Sequence, residues 1–278
     1  MRSTFVVLFL GHRTGVFIVL VLFACGCLSA EPGLVMSLTL LRESVSLGEP
    51  VLAELTITNE GAAAIDLDLG RNRKEKLVIA VNDRGASSPG LPPGGGISFP
   101  GEVELAGGER YSQILLLNEW TSFEEEGSYR IHLSLEAPHQ AVVSGGGALV
   151  AEAVISVVPR DSVRLAATCE SLASQAAKPD AAVSSQGGRA LSYVSDPACL
   201  PALARAVRES PHGKEGAITA LARLGTAGAV DEVVRAWDLL RWDQQALALQ
   251  EFARHGRRES LAAALKEACK TIKQVPGD

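Results

Sequence analysis

Residues 47–61, LGEPVLAELTITNEG, place Val51, Ala53, Leu55 and Ile57 on one side of an extended chain and Glu54, Thr56 and Thr58 on the other. Successive side chains of a strand point to opposite faces, so this period of two buries one face and wets the other, as in antiparallel sheet. Turn-forming residues close both ends, Leu47-Gly48-Glu49-Pro50 before and Asn59-Glu60-Gly61 after. The same alternation recurs outward, in Leu34, Met36, Leu38 and Leu40 upstream and in Ile65, Leu67 and Leu69 against Asp66 and Asp68 downstream. It returns in Leu77, Ile79 and Val81 and in Tyr129, Ile131, Leu133 and Leu135. Strands are expected over 34–41, 50–58, 64–69, 76–82, 111–117, 128–135 and 149–157, a set that fits a two-sheet sandwich. Tyr129, just after Gly127, is placed to bond its hydroxyl back to nearby backbone as a tyrosine corner. The Gly- and Pro-rich insert Ser87–Pro100 carries no strand pattern and reads as a long loop.

Near Pro159 the composition changes: residues 31–160 hold 12 Ala in 130 positions, residues 161–278 hold 25 in 118. Pro159 and Asp161 supply a break and a helix cap, and apolar residues then follow at spacings of three and four. An internal repeat appears. Ala190-Leu191, Val194, Leu200 and Leu203 align with Ala220-Leu221, Leu224, Val230 and Val233 at an offset of 30. Leu221-Ala222-Arg223-Leu224-Gly225 aligns with Phe252-Ala253-Arg254-His255-Gly256 at an offset of 31. A helix–turn–helix unit recurring at this period is expected to stack as an α-solenoid. Ala176–Gly188, polar and small, reads as a loop between helices.

Two resemblances follow from these pieces. LGEPVLAELTITNEG, AIDLDLG, LAGGERYSQILLLNEW and EEGSYRIHLSL resemble, in order and spacing, the segments of bacterial immunoglobulin-like modules, over most of residues 34–158. SDPACLPALARAV and LARLGTAGAVDEVVRAW resemble HEAT-like repeats, over about 110 residues and with units shorter than that family's usual length. The resemblances imply an immunoglobulin-like β-sandwich over 31–158 followed by a short HEAT-like α-solenoid over 161–275.

Residues 1–30 read as a leader: a basic start (Arg2, His12, Arg13), the apolar run VFIVLVLFA over 16–24, then small residues to Ala30. The run is shorter than the ~20 residues a membrane helix needs. Leu22-Phe23-Ala24-Cys25-Gly26 resembles a bacterial lipobox, which implies Cys25 as the residue to be acylated; Phe23 departs from that pattern, and cleavage near Ala30 is the other reading. Either places the body outside the cytosol, in the periplasm or cell envelope, with a membrane contact through the lipid in the first case. In such an oxidising compartment Cys169 and Cys199 form the expected disulfide, tying neighbouring helices, unless these and Cys269 serve as small apolar side chains.

Without its leader the chain carries 24 basic against 32 acidic residues, and only 5% of the whole is aromatic. Nucleic-acid binding, which needs a basic face and stacking rings, is therefore not expected. His132, His139, His212 and His255 form no metal-ligand spacing, Gly94–Gly96 and Gly145–Gly147 lack the context of a phosphate loop, and Gly-x-Ser-x-Gly is absent. Glu124-Glu125-Glu126 reads as a solvated turn. No cofactor, metal or catalytic residue is expected, and the chain is read as no enzyme. The remaining clue is its rings, since Trp and Tyr supply large contact area. Trp242, beside Arg241 and Asp243, is the first candidate for a partner contact; Trp120 and Phe123, entering a loop, are candidates that also fit the core edge; and Trp237 reads as inter-repeat core. The expected function is non-catalytic: a cell-envelope protein mediating protein–protein interaction or scaffolding. A protease-inhibitor-like module using the Ser87–Pro100 insert and an enzyme with an unrecognised site are the alternatives.

Overall fold

The computed structural model describes residues 33–69, 76–81, 101–136 and 148–273. A β-rich region comes first and seven helices follow. The strands are β1 (Leu34–Leu40), β2 (Ser44–Ser46), β3 (Leu52–Asn59), β4 (Ile65–Asp68), β5 (Leu77–Val81), β6 (Glu102–Leu105), β7 (Arg110–Leu116), β8 (Gly127–Glu136) and β9 (Ala148–Val158). One sheet has the order β1-β3-β7, a second the order β2-β9-β8-β5, and β4 pairs with β6. All pairings are antiparallel except β2 with β9.

Register follows the alternation. Leu38 faces Leu55 and Leu40 faces Ala53 across β1 and β3, while Ile79 faces Leu133 across β5 and β8. Inward residues of both sheets, among them Leu55, Ile57, Leu115, Ile131 and Ile155, share one buried core. Two short strands lie outside the expected set: β2, of three residues, and β6, Glu-Val-Glu-Leu, whose Val103 and Leu105 turn to the core while Glu102 and Glu104 are exposed. The insert Ser87–Pro100 lies outside the described residues. At the β3 exit, buried Asn59 donates through Nδ2 to the carbonyls of Ala63 (2.7 Å) and Leu105 (2.9 Å), tying two loops to one strand end.

The helices are α1 (Ser162–Ala176), α2 (Ala181–Leu191), α3 (Leu200–Glu209), α4 (Lys214–Leu224), α5 (Ala227–Ala236), α6 (Trp242–Arg254) and α7 (Arg258–Lys273). Asp161 caps α1, accepting from the Val163 and Arg164 amides at 3.0 Å, and Asp180 caps α2. Helices α1, α3, α5 and α7 contact in series along one layer, and α2, α4 and α6 along the other. The positions aligned by the 30-residue offset enter one core: Ala190, Leu191, Val194, Leu203, Ala220, Leu221, Val230 and Val233 are all buried there. Among the described residues no helix is long and apolar enough to cross a membrane.

The loop expected over Ala176–Gly188 is corrected. Most of it belongs to α2, and only residues 177–180 connect α1 to α2. Its small residues mark close packing, not irregularity. A Cβ on Gly187 would stand 2.8 Å from the Leu172 carbonyl oxygen of α1, and one on Gly216 of α4 would run into the Gly188 carbonyl of α2. The helices meet backbone to backbone, as glycine alone allows.

Candidate functional site

Two places bear on function: the junction of the two regions, which the sequence reading missed, and an exposed turn late in the helical layers.

The junction is built on Glu49. Gly48, at φ +91, turns the chain so that the Glu49 carboxylate points away from the sandwich core and toward α1. It accepts from the Ser46 amide (2.8 Å), Arg164 Nε (2.9 Å), Thr168 Oγ1 (2.9 Å) and Arg42. The side chain is 1% exposed, so this charge exists inside the protein only because four donors replace its water. Beside it, Leu116 of β7 is buried in the helical core and Leu52 packs against it; Arg189 of α2 pairs with Glu119 nearby. A cleft of about 140 Å3 opens next to Glu49, walled by Leu41, Val45, Pro50, Leu52 and Leu172, with Arg42 at its rim. Both oxygens of Glu49 are engaged, which suits a structural anchor. Nothing in the spacing of residues 42, 49, 164 and 168 announces this cluster. The one local signal is a carboxylate inside the Gly48-Glu49-Pro50 turn.

The helical side of the junction carries the cysteine pair. Cys169, one residue after Thr168, is joined to Cys199 in the turn before α3, with Cα atoms 5.7 Å apart.

The exposed turn lies between α5 and α6. Trp242 opens α6 with 81% of its surface in water, and Leu239, three residues earlier, is 55% exposed. Their backbone is braced from α4 and α6. Lys214 Nζ donates to the Leu239 carbonyl (3.1 Å) and Gln245 Nε2 to that of Trp237 (3.0 Å). Gln244 Nε2 donates to Glu215 (2.8 Å), and Arg241 binds Asp243 through two nitrogens at 2.8 and 3.1 Å. Burial pushes the Lys214 ammonium below its usual range, with Glu215 opposing. The hydrogen bonds from Arg241 hold the Asp243 carboxyl below the usual carboxylate range.

The other ring candidates are corrected by burial. Trp120 is 3% and Phe123 7% exposed, and both belong to the sandwich core, so neither ring offers a face to a partner. Their loop turns inward because Tyr129 anchors it: its hydroxyl donates to the Glu125 carbonyl (2.8 Å), and its ring meets Phe123 edge-on at 5.2 Å. Trp237 packs against the helical core. Glu124–Glu126 are exposed, Asp66 and Asp68 point outward from β4, and His132 on the wet face of β8 lies 3.0 Å from Glu152. Among the described residues no three or more His, Cys, Asp or Glu side chains converge as a metal site. Cys25, His139 and the Gly94–Gly96 and Gly145–Gly147 runs lie outside the described residues.

No family model and no curated protein matches the chain. Among solved structures, the CARDB domain of a Pyrococcus furiosus protein is 18% identical, with a TM-score of 0.30, over 46% of this chain and 97% of that one. A crystal structure of the same domain, described as a complex with di-metal ions, gives 18% and 0.31 over 48% and 97%. A β-glucosidase from Erythrobacter marinus is 15% identical at a TM-score of 0.26, over 45% of this chain and 15% of its own. At such scores these likenesses carry no inference about activity, and the reading of the chain rests on its own strands, cores and contacts.

Proposed function

We propose that this chain is an exported cell-envelope protein that binds a protein partner and does no chemistry of its own. Its body is read as an immunoglobulin-like sandwich followed by a short HEAT-like solenoid, cut free near Ala30 or held at a membrane by acylated Cys25. The observation that carries the proposal is Trp242. The ring offers a large apolar contact area, and it stands with exposed Leu239 on a turn braced by Lys214, Gln244 and Gln245. A contact residue fixed in advance loses little entropy when a partner arrives, and Trp leads the residue types that dominate interfaces. The Cys169–Cys199 pair supports export, since such bridges persist in oxidising compartments. The two helical layers, meeting the 30-residue repeat position by position, support the solenoid reading.

The test is site-specific photocrosslinking in intact cells, with a photoreactive residue at 242 or, for comparison, at the equally exposed Val163. A discrete protein adduct at 242 and none at 163 is the expected result. Identical patterns at both positions, or no adduct at 242, overturn the assignment. The mass of the mature N-terminus separates a lipidated Cys25 from a free Glu31.

A further inference from the structure

At the opposite end of α6 from Trp242 lies a corner of arginines. Arg223 stands one residue before the end of α4 and Arg254 ends α6, at equivalent places in the 31-residue offset, while Arg257 precedes α7 and Arg258 opens it. The fold draws them together. Glu251 of α6, 2% exposed, pairs with Arg254 at 2.8 Å and also attracts Arg223. Arg257 lies across Gly225, two residues beyond Arg223, with its Nε 3.2 Å from where a Cβ would stand. Gly256, at φ +68, makes the turn that brings Arg257 back over α4. Two guanidinium groups, those of Arg254 and Arg223, thus share one internal carboxylate, with Arg257 across Gly225 and Arg258 next to it in sequence, in a chain whose formal charge is −6.

Arg223 is the informative member. Its guanidinium sits 6.0 Å from the centre of the Tyr193 ring, and burial pushes it below the usual arginine range. Its side chain makes no hydrogen bond among the described residues, and neither do those of Arg257 and Arg258. A guanidinium carries five N–H donors in a planar fork that matches a carboxylate, and a half-buried one beside an aromatic ring offers that fork with part of its water already removed. Glu251 is engaged by Arg254, and the Arg223 fork has no hydrogen-bond acceptor among the described residues.

We propose that this corner binds an acidic peptide segment of a partner protein, with Glu or Asp carboxylates bridging Arg223, Arg257 and Arg258. Charge decides the class of ligand. The acidic body as a whole repels an extended anionic surface such as a bilayer or a nucleic acid, whereas a short acidic segment touches the corner alone. The assignment does not depend on Trp242, which lies at the other end of α6.

The experiment is fluorescence anisotropy with a fluorescein-labelled hexaglutamate peptide and the full-length protein. Saturable binding that weakens as salt is raised is expected, with no binding of hexaglutamine. Arg223→Gln and the double change Arg257→Gln/Arg258→Gln should each weaken it at least tenfold, and Arg110→Gln on β7 should leave it unchanged. The double variant keeps the test sound if Arg223→Gln disturbs folding, because both its side chains are exposed. Absence of saturable hexaglutamate binding, an equal loss in Arg110→Gln, or equally tight binding of anionic phospholipid vesicles or inorganic phosphate overturns the proposal.

Discussion

Replacing Glu49 by Gln keeps the shape of the side chain and removes its charge. One carboxylate oxygen becomes an NH2 group, so a donor then faces Arg42, Arg164 or Thr168, all of which donate. Removing one partner of a buried ion pair costs roughly 3–5 kcal/mol. Arg42 is 49% exposed and regains water when released, which places the expected loss near the lower end, at about 3 kcal/mol. At about 2–4 °C per kcal/mol for a body of this size, Tm should fall by roughly 6–12 °C. Urea unfolding followed by far-UV circular dichroism reads the helices. In a Trp237→Phe/Trp242→Phe background, the fluorescence of Trp120 reads the sandwich. The two transitions should coincide in the parent and separate in Glu49→Gln, because Glu49 links β2 and its turn to α1. Glu54→Gln, on the outer side of β3, should change stability by no more than about 0.5 kcal/mol. A loss below about 1 kcal/mol in Glu49→Gln, with the transitions still coincident, would show that the junction is held by its apolar contacts and not by this charge.

Four further outcomes are expected. Reducing the Cys169–Cys199 bridge, which closes a span of 30 residues, should cost about 3.6 kcal/mol by loop-closure entropy, read as a shift in the urea midpoint between oxidised and alkylated protein. Gly216→Ala should destabilise by more than about 2 kcal/mol, because the new methyl meets the Gly188 backbone, which no side-chain rotation can move aside. Gly228→Ala meets only the Leu200 Cδ2 atom at 3.0 Å and should stay within about 1 kcal/mol of the parent, with its gain in helix propensity as offset. Trp242→Ala should leave thermal stability within about 0.5 kcal/mol, whereas Trp120→Ala should cost roughly 3–5 kcal/mol; equal losses would contradict the burial of one ring and exposure of the other.

What the chain discloses before it is folded depends on whether the force involved is periodic. The alternation at Val51–Thr58 and at Tyr129–Leu135 reaches the structure intact, because burying one sheet face imposes a period of two on every residue. The spacing of Leu191, Leu203, Leu221 and Val233 survives for the same reason, each repeat burying the equivalent position. Ala181–Leu191 does not read as a helix, since composition cannot separate glycines that loosen a chain from glycines that let two backbones touch. The Glu49 cluster is invisible because it joins residues more than a hundred positions apart through charge, which leaves no spacing rule. The arginine corner is half legible: Arg254 to Arg258 is a visible run, but Arg223 joins it only through the turn at Gly256 and the shared Glu251.

The Glu49 carboxylate also governs how this chain can be divided. Composition marks Pro159 as the natural place for scissors, yet a fragment ending there would carry Glu49 without Arg164 or Thr168, and Leu116 without the helices that bury it. The complementary fragment would begin with two donors and no acceptor. Neither piece inherits a finished surface, so expression trials that trim at this seam should yield sticky, poorly behaved fragments.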